Sequence, residues 1–140
     1  MSSSSKTTHK PAPRLSVAGI AWRNGKMLLA RRTVGGVNSR LWEFPGGKVE
    51  ENESAEASLI REFREELGVE VNVESFLARG GFTHRGVPFR LEAYRVVMPA
   101  DPVTLREHEE VGWFDFEEVE TLELVPSDRG LLPGLRAALL

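Results

Sequence analysis

The segment PGGKVEENESAEASLIREFREELGV, Pro45 to Val69, restricts the possible folds more than any other stretch of the chain. A proline and two glycines interrupt any regular element, and from Ser54 to Leu67 the apolar residues then take helical spacing. With Leu59 at zero and about 100° per residue, Ala55, Leu59, Phe63, Leu67 and Ile60 fill an arc from about −40° to +100°. That stripe predicts a helix lying on a core. Asn52 or Ser54 is placed to cap its start, acidic residues fill the first turn, and Gly68 stands where a C-terminal cap glycine belongs. The same helix carries Glu62 at about −60°, Glu65 at about −120° and Glu66 at about −20°. Three carboxylates therefore meet near one edge of the buried stripe. Like charges one turn apart oppose helix formation, and a carboxylate at a core edge loses hydration. A divalent cation would answer both costs. The alternative is a solvated face with pairs such as Arg61 and Glu65, and spacing alone does not separate the two.

The other elements are shorter. Leu15 to Trp22 and Lys26 to Arg32 read as a hairpin around Asn24-Gly25. Leu41 to Phe44 is a short strand, with Pro45-Gly46-Gly47 as a turn after it. Val69 to Leu77 alternates as a strand. Gly80 to His84 and Phe89 to Met98 form a second hairpin turning at RGVP. Val111 to Phe116 is a last strand after the loop REHEE, and a second helix is expected from Ser127 to Leu140, interrupted or started late by Pro133. One α+β or α/β/α domain around a mixed sheet accommodates this order, and 140 residues suit a single domain. Residues 1–13, MSSSSKTTHKPAP, read as a disordered N-terminal segment with no secretory signal, and 14–140 as the domain.

Composition narrows the chemistry. There is no cysteine and there are only three histidines, His9, His84 and His108, far apart. Thiol catalysis, disulfides and a cysteine-held zinc are excluded, so an expected metal is hard and oxygen-bound, magnesium or manganese. The formal net charge of −3 argues against a nucleic-acid polymer as partner. No apolar run reaches the roughly 18 residues of a membrane span, so a cytoplasmic location is expected. Oligomeric state, monomer or homodimer, is open; Leu131, Leu132, Leu135, Leu139 and Leu140 suit either a core or a subunit contact.

Gly47, Glu53, Arg61, Glu62, Phe63, Glu65, Glu66, Gly68 and Val69 resemble the signature of the Nudix hydrolase family. That signature is Gly, five residues, Glu, seven residues, Arg-Glu, an apolar residue, any residue, Glu-Glu, any residue, Gly, an apolar residue. Every fixed place is filled, which chance achieves about once in 10⁸ start points at average residue usage. Phe63 is larger than the usual aliphatic. LWEFPGGKVE and the strands before it, with Arg31-Arg32 ahead of Trp42-Glu43, are similar to the MutT-like branch.

The resemblance implies a Nudix-type α/β/α sandwich and Mg²⁺-dependent hydrolysis, with Mn²⁺ able to substitute. The expected substrate is a (deoxy)nucleoside triphosphate, split to monophosphate and pyrophosphate, with sanitation of damaged nucleotides as one use. The alternatives are another nucleoside diphosphate-X (a nucleotide sugar, a dinucleoside polyphosphate or a capped RNA end) or a non-catalytic nucleotide-sensing domain. By the same resemblance Gly46 (through its carbonyl), Glu62, Glu65, Glu66 and Glu107 would hold metal. Arg61 would orient a carboxylate, Glu65 first, and Glu53 would support the loop or an outer metal. Glu107 stands six residues before Trp113, the spacing closest to the branch, with Glu109 and Glu110 as alternatives for the general base. Arg32, Lys48 and Asp128 are the expected substrate contacts; Arg31, Arg79, His84, Arg85 and Arg90 are weaker candidates. Asp128 would read the base, and an ionised aspartate, which only accepts, suits an amino donor on cytosine or adenine. Its competing reading is a helix cap beside Ser127.

Overall fold

The computed structural model describes residues 14–140; the segment 1–13, expected to be disordered, lies outside the described residues. Strand β1 (Arg14–Arg23) sends its side chains alternately into two cores: Val17 and Ala21 into one, Ala18 and Ile20 into the other. A tight turn at Asn24 and Gly25, both with positive φ (53° and 75°), returns the chain as β2 (Lys26–Arg32). β3 (Trp42–Glu43) and β4 (Gly46–Lys48) follow, then helix α1 (Ala55–Leu67). A long hairpin of β5 (Asn72–His84) and β6 (Val87–Val97) leads to β7 (His108–Phe114). Three short helices close the chain: α2 (Phe116–Thr121), α3 (Pro126–Arg129) and α4 (Leu132–Leu139).

The strands run in the order β3-β2-β1-β6-β5, with β4 beside the start of β1 and β7 beside β2. β1 and β6 are parallel and the other pairs antiparallel, so the sheet is mixed. Helix α1 covers one face, burying Leu59, Phe63 and Leu67 with Val17, Leu28 and Val96. Helices α2 to α4 cover the other, burying Phe116, Val119, Leu131 and Leu135 with Ile20, Met27 and Ala93. This is an α/β/α sandwich. Phe63, the oversized residue in the acidic helix, is fully buried, and its ring occupies the space a side chain at Gly19 would need. No helix of the described residues is long and apolar enough to cross a membrane.

The acidic helix starts on Ser54, whose hydroxyl accepts from the Ala57 N–H at 3.0 Å, not on Asn52. Other expectations need correction. Gly46 to Lys48 is not only a turn; it pairs with Ser16 to Ala18 of β1. The expected strands Val69 to Leu77 and Gly80 to His84 merge into one, β5, which begins only at Asn72, because the Gly80-Gly81 pair continues the ladder with β6 instead of breaking it. The last strand begins at His108, so part of the REHEE loop is strand. Phe116 opens α2 after an Asp115–Glu118 capping box. The expected C-terminal helix is two pieces, α3 and α4, separated before Pro133.

Candidate active site

Where β4 enters helix α1, the chain brings loop and helix into contact. Gly47 faces Glu62 so closely that a Cβ there would overlap the Glu62 carboxylate. Only glycine lets the backbone approach that carboxylate. Arg61 then ties the loop to the helix. Its Nε and Nη2 donate to Glu53 at 2.7 and 3.0 Å, Nη2 also reaches the Lys48 carbonyl at 3.3 Å, and Nη1 lies 3.3 Å from Glu65 and 3.4 Å from Glu62. Glu53 in turn accepts from the Glu50 N–H at 3.0 Å. The Arg61 guanidinium beside Glu53 holds its carboxyl down at about 2, against the opposing effect of burial. Arg61 thus engages Glu53 most closely, where Glu65 was the expected partner. The planar fork meets Glu53 with two nitrogens, and Glu65, one turn on, with one.

Glu66 is 7% exposed and forms no ion pair among the described residues. Burial raises its pKa far above the carboxylate range, and the neighbouring Glu62, then Glu43 and Glu107, push the same way. Glu62, Glu66 and Glu107 line one cavity of about 730 Å³ with Gly46, Lys48, Arg32 and Asp128. Glu65 does not line it; its side chain is 59% exposed beside Arg61. No three acidic or histidine side chains among the described residues already surround one point at ligand spacing. The donor set still fits a hard divalent cation. It is all oxygen, it contains the buried Glu66, which has no ion pair of its own among the described residues, with Glu62 beside it, and Glu65 and Glu107 are exposed and able to turn.

Glu107 reaches the cavity because its loop is fixed on the end of α1. Val103 and Thr104 donate to the Leu67 carbonyl at 3.0 and 3.4 Å, and Arg106 donates to the Glu66 carbonyl at 3.2 Å. Gly68, at φ 67°, lies under Thr104 and Val103, 2.7 and 2.8 Å from where its Cβ would be. Glu109 and Glu110 stand outside the cavity on β7, paired with Arg40 at 2.9 Å and Arg31 at 3.1 Å. Arg79 and Arg90 are also outside its wall, whereas His84 and Arg85, at the β5–β6 turn, are on it.

The far end of the cavity is built by a polar network. Phe44 N–H donates to the Asp128 carboxylate at 2.8 Å, and Asp128 is 7% exposed. Burial raises the Asp128 pKa to about 7, offset by the Phe44 and Ser127 hydrogen bonds and by Arg32, and reinforced by Glu43. The Asp128 carboxyl accepts from Phe44, 84 positions away in the chain, and it does not cap α3, whose N-cap is Val125 with no side-chain cap bond. Glu43 is held by Arg32 at 3.2 Å and by His108 Nε2 at 2.8 Å. Arg32 therefore lines the cavity with its charge already engaged. Sequence reasoning did not single out Glu43, His108 or Phe82 as cavity residues. Glu43 had one signal, its place next to Trp42 ahead of the glycine loop; His108, 65 residues away, had none.

The sequence model of the NUDIX domain matches residues 12–135. A CTP pyrophosphohydrolase of Escherichia coli is 39% identical over 121 residues, 86% of this chain and 90% of the relative. A putative 8-oxo-dGTP diphosphatase 2 of Mycobacterium tuberculosis is 34% identical over 133 residues, 90% of each chain. Among solved structures, the E. coli ORF135 protein superposes with a TM-score of 0.78 at 36% identity, covering 91% of this chain and 94% of that one. The MutT NUDIX hydrolase of Burkholderia pseudomallei gives 0.78 at 25% identity, covering 89% and 99%.

Proposed function

Because this chain belongs to the NUDIX domain family and is a Nudix hydrolase, we propose that it hydrolyses a (deoxy)nucleoside triphosphate, with a cytosine nucleotide preferred, to monophosphate and pyrophosphate, using Mg²⁺ or Mn²⁺. The observation that carries the reading is the buried Glu66, unpaired among the described residues, beside Glu62 in a cavity that also holds cations, Lys48 and Arg85, and a buried carboxyl, Asp128. A bound divalent cation would supply neutralisation of the charge that gathers on the phosphate oxygens. Glu62, Glu66 and the Gly46 carbonyl would hold it, with Glu65 and Glu107 completing the set.

The chain's own groups do the rest. Arg61 and Glu53 fix the glycine loop against α1, so Glu62 does not wander. Lys48, whose ammonium lies 4.8 Å over the Phe89 ring, and Arg85 offset phosphate charge. Water attacks phosphorus in line, the bridging P–O bond breaks, pyrophosphate leaves, and a glutamate, Glu107 foremost, takes the proton.

At the base end, Phe44 occupies one oxygen of Asp128, and the other remains to accept from an exocyclic amino group such as that of cytosine. The similarity to a CTP pyrophosphohydrolase supports this preference. A second reading, oxidised guanine, is favoured by the Asp128 pKa of about 7, since a protonated carboxyl also donates. A panel of nucleotides assayed with Mg²⁺, following pyrophosphate against phosphate, tests both. CTP or dCTP is expected to lead, with pyrophosphate released. Cleavage of nucleotide sugars or dinucleotides alone would sink the triphosphate reading, and inactivity on all would favour a sensing role.

A further inference from the structure

Glu107 sits between two anchors. On one side the Arg106 N–H donates to the Glu66 carbonyl at 3.2 Å, which ties the loop to α1. On the other side stands His108, the next residue in the chain, whose ring is 2% exposed and whose Nε2 lies 2.8 Å from the Glu43 carboxylate. We propose that His108 is a positioning residue that ties the base end of the cavity to Glu107, so that turnover, and not binding alone, depends on the base. The inference rests on the base reading at Asp128 above and deepens it.

The strands put His108 in that place. β7 opposes β2 residue by residue from Phe114 to Glu110 and then slips, so that Arg31 faces Glu110 but Arg32 faces His108. Glu109 is thus an extra residue on β7, and such a bulge re-aims the side chains around it. Arg32, opposite His108, donates from Nη1 to Glu43 at 3.2 Å. Glu43 is therefore gripped from β2 and from β7 at once.

Glu43 belongs to a strand of two residues, and the base end hangs on that strand. The Trp42 N–H donates to the Glu123 carbonyl at 2.8 Å, the Val125 N–H donates to the Trp42 carbonyl at 2.9 Å, and the Phe44 N–H donates to Asp128 at 2.8 Å. A path of direct contacts runs from Asp128 through Phe44, Glu43 and His108 to Glu107, and each link is a hydrogen bond or a chain bond. Coupling between sites travels through networks of this kind. A base that engages Asp128 moves the short strand, and His108 carries the movement to Glu107.

Packing does not account for the ring. His108 Nδ1 is buried and has no partner among the described residues. Glu43 accepts from Arg32, so the imidazole proton belongs on Nε2, where it is bonded, and Nδ1 is left as an unsatisfied acceptor. Burying such an atom costs stability, and a phenylalanine ring would fill the space without it. What that ring lacks is the Nε2–H that holds Glu43.

The test compares His108→Phe and His108→Gln with the wild type, after thermal melts show both variants folded. In steady-state assays with Mg²⁺, His108→Phe is expected to lower kcat about tenfold for the best-cleaved nucleotide of the panel, the scale of a slightly misplaced catalytic group. KM should hold, the worst-cleaved nucleotide should lose far less, and His108→Gln, which keeps a donor near the Nε2 position, should recover most of the difference. Equal losses on both nucleotides, or a change in KM alone, would overturn the proposal. Amide NMR supplies a readout without hydrolysis. Cytidine, which has no phosphate, should shift the Phe44 and Glu107 signals in the wild type, and in His108→Phe the Phe44 shift should persist while the Glu107 shift is lost. A Glu107 signal that is unmoved in the wild type while Phe44 moves, or that moves equally in His108→Phe, would also overturn it. Cytidine that moves neither signal would defeat the base reading at Asp128 instead, and the kinetic comparison, which needs only a best and a worst nucleotide, would still decide the role of His108.

Discussion

Asp128 is a single buried carboxyl with two opposed influences. Phe44 N–H and the Ser127 hydroxyl favour its charge, as does Arg32, but burial and Glu43 outweigh them and raise its pKa to about 7 from 3.8. A raised folded pKa means that the folded state keeps a proton the unfolded chain has lost. Its contribution to stability is therefore fully present below about pH 4 and is lost progressively as pH rises to about 7. Asp128→Asn removes this ionisation while its amide oxygen can still accept from Phe44. The variant is expected to gain stability over wild type as pH rises from 5 to 8, by up to a few kcal/mol in urea titrations. The proposed base contact runs the other way. The wild-type KM for CTP should fall over the same interval, as the acceptor form fills, and the Asn variant should lose that trend. Parallel pH profiles for stability in the two proteins would contradict the burial argument.

At the scale of elements, Gly68 has two tasks that the sequence shows as one. Its position after a periodic acidic run announces a helix end, and the helix does end there with φ 67°. What the sequence does not announce is that Val103 and Thr104 press on the same glycine and so place Glu107. Gly68→Ala should cost about 1–2 kcal/mol from left-handed strain and also displace that loop. Turnover is expected to fall by up to about 100-fold, the scale of a misplaced catalytic group. Gly25→Ala is the control, since Gly25 also has positive φ (75°) but open space around it. It should lose similar stability and keep its turnover; full activity in Gly68→Ala would refute the loop-docking account. The same division explains what was legible. The acidic helix was readable almost to the residue because caps, periodicity and carboxylate spacing are all local. β4 was not, since Gly-Gly-Lys has no strand propensity and is held by pairing with β1. Helix α2 had its capping box in the sequence, but the apolar run VGWFDF masked it as strand. The His108–Glu43 contact could not be read, because nothing local links residues brought together by the β2–β3 and β2–β7 pairings.

Among the described residues, the cavity wall gathers more acids, Glu43, Glu62, Glu66, Glu107 and Asp128, than cations, Arg32, Lys48 and Arg85. With a formal net charge of −3, the whole molecule gains little by gathering Glu43, Glu62, Glu66 and Glu107 around one space. Natural sites of this kind trade stability for function, and a dication that binds only the folded state returns the loss by mass action. At 100 times its dissociation constant, Mg²⁺ would add about 2.7 kcal/mol, which in a domain of this size raises the melting temperature by roughly 10 °C. Glu66→Gln separates the two effects. Removing the buried acid abolishes the cost of keeping it protonated beside Glu62 at a pH where the unfolded chain would ionise it, so the metal-free variant should melt above metal-free wild type. The same change deletes a metal-binding charge, so the Mg²⁺-dependent rise should shrink or vanish, and hydrolysis should fall at least about 100-fold. Scanning calorimetry of both proteins with and without Mg²⁺ decides the matter. If the variant melts lower without metal and keeps the full rise with it, Glu66 is a structural acid and the cation binds elsewhere. If the two shifts have the expected opposite signs, the destabilising charge and the binding charge are the same group, which is the arrangement a carboxylate at the edge of an apolar helix stripe implies.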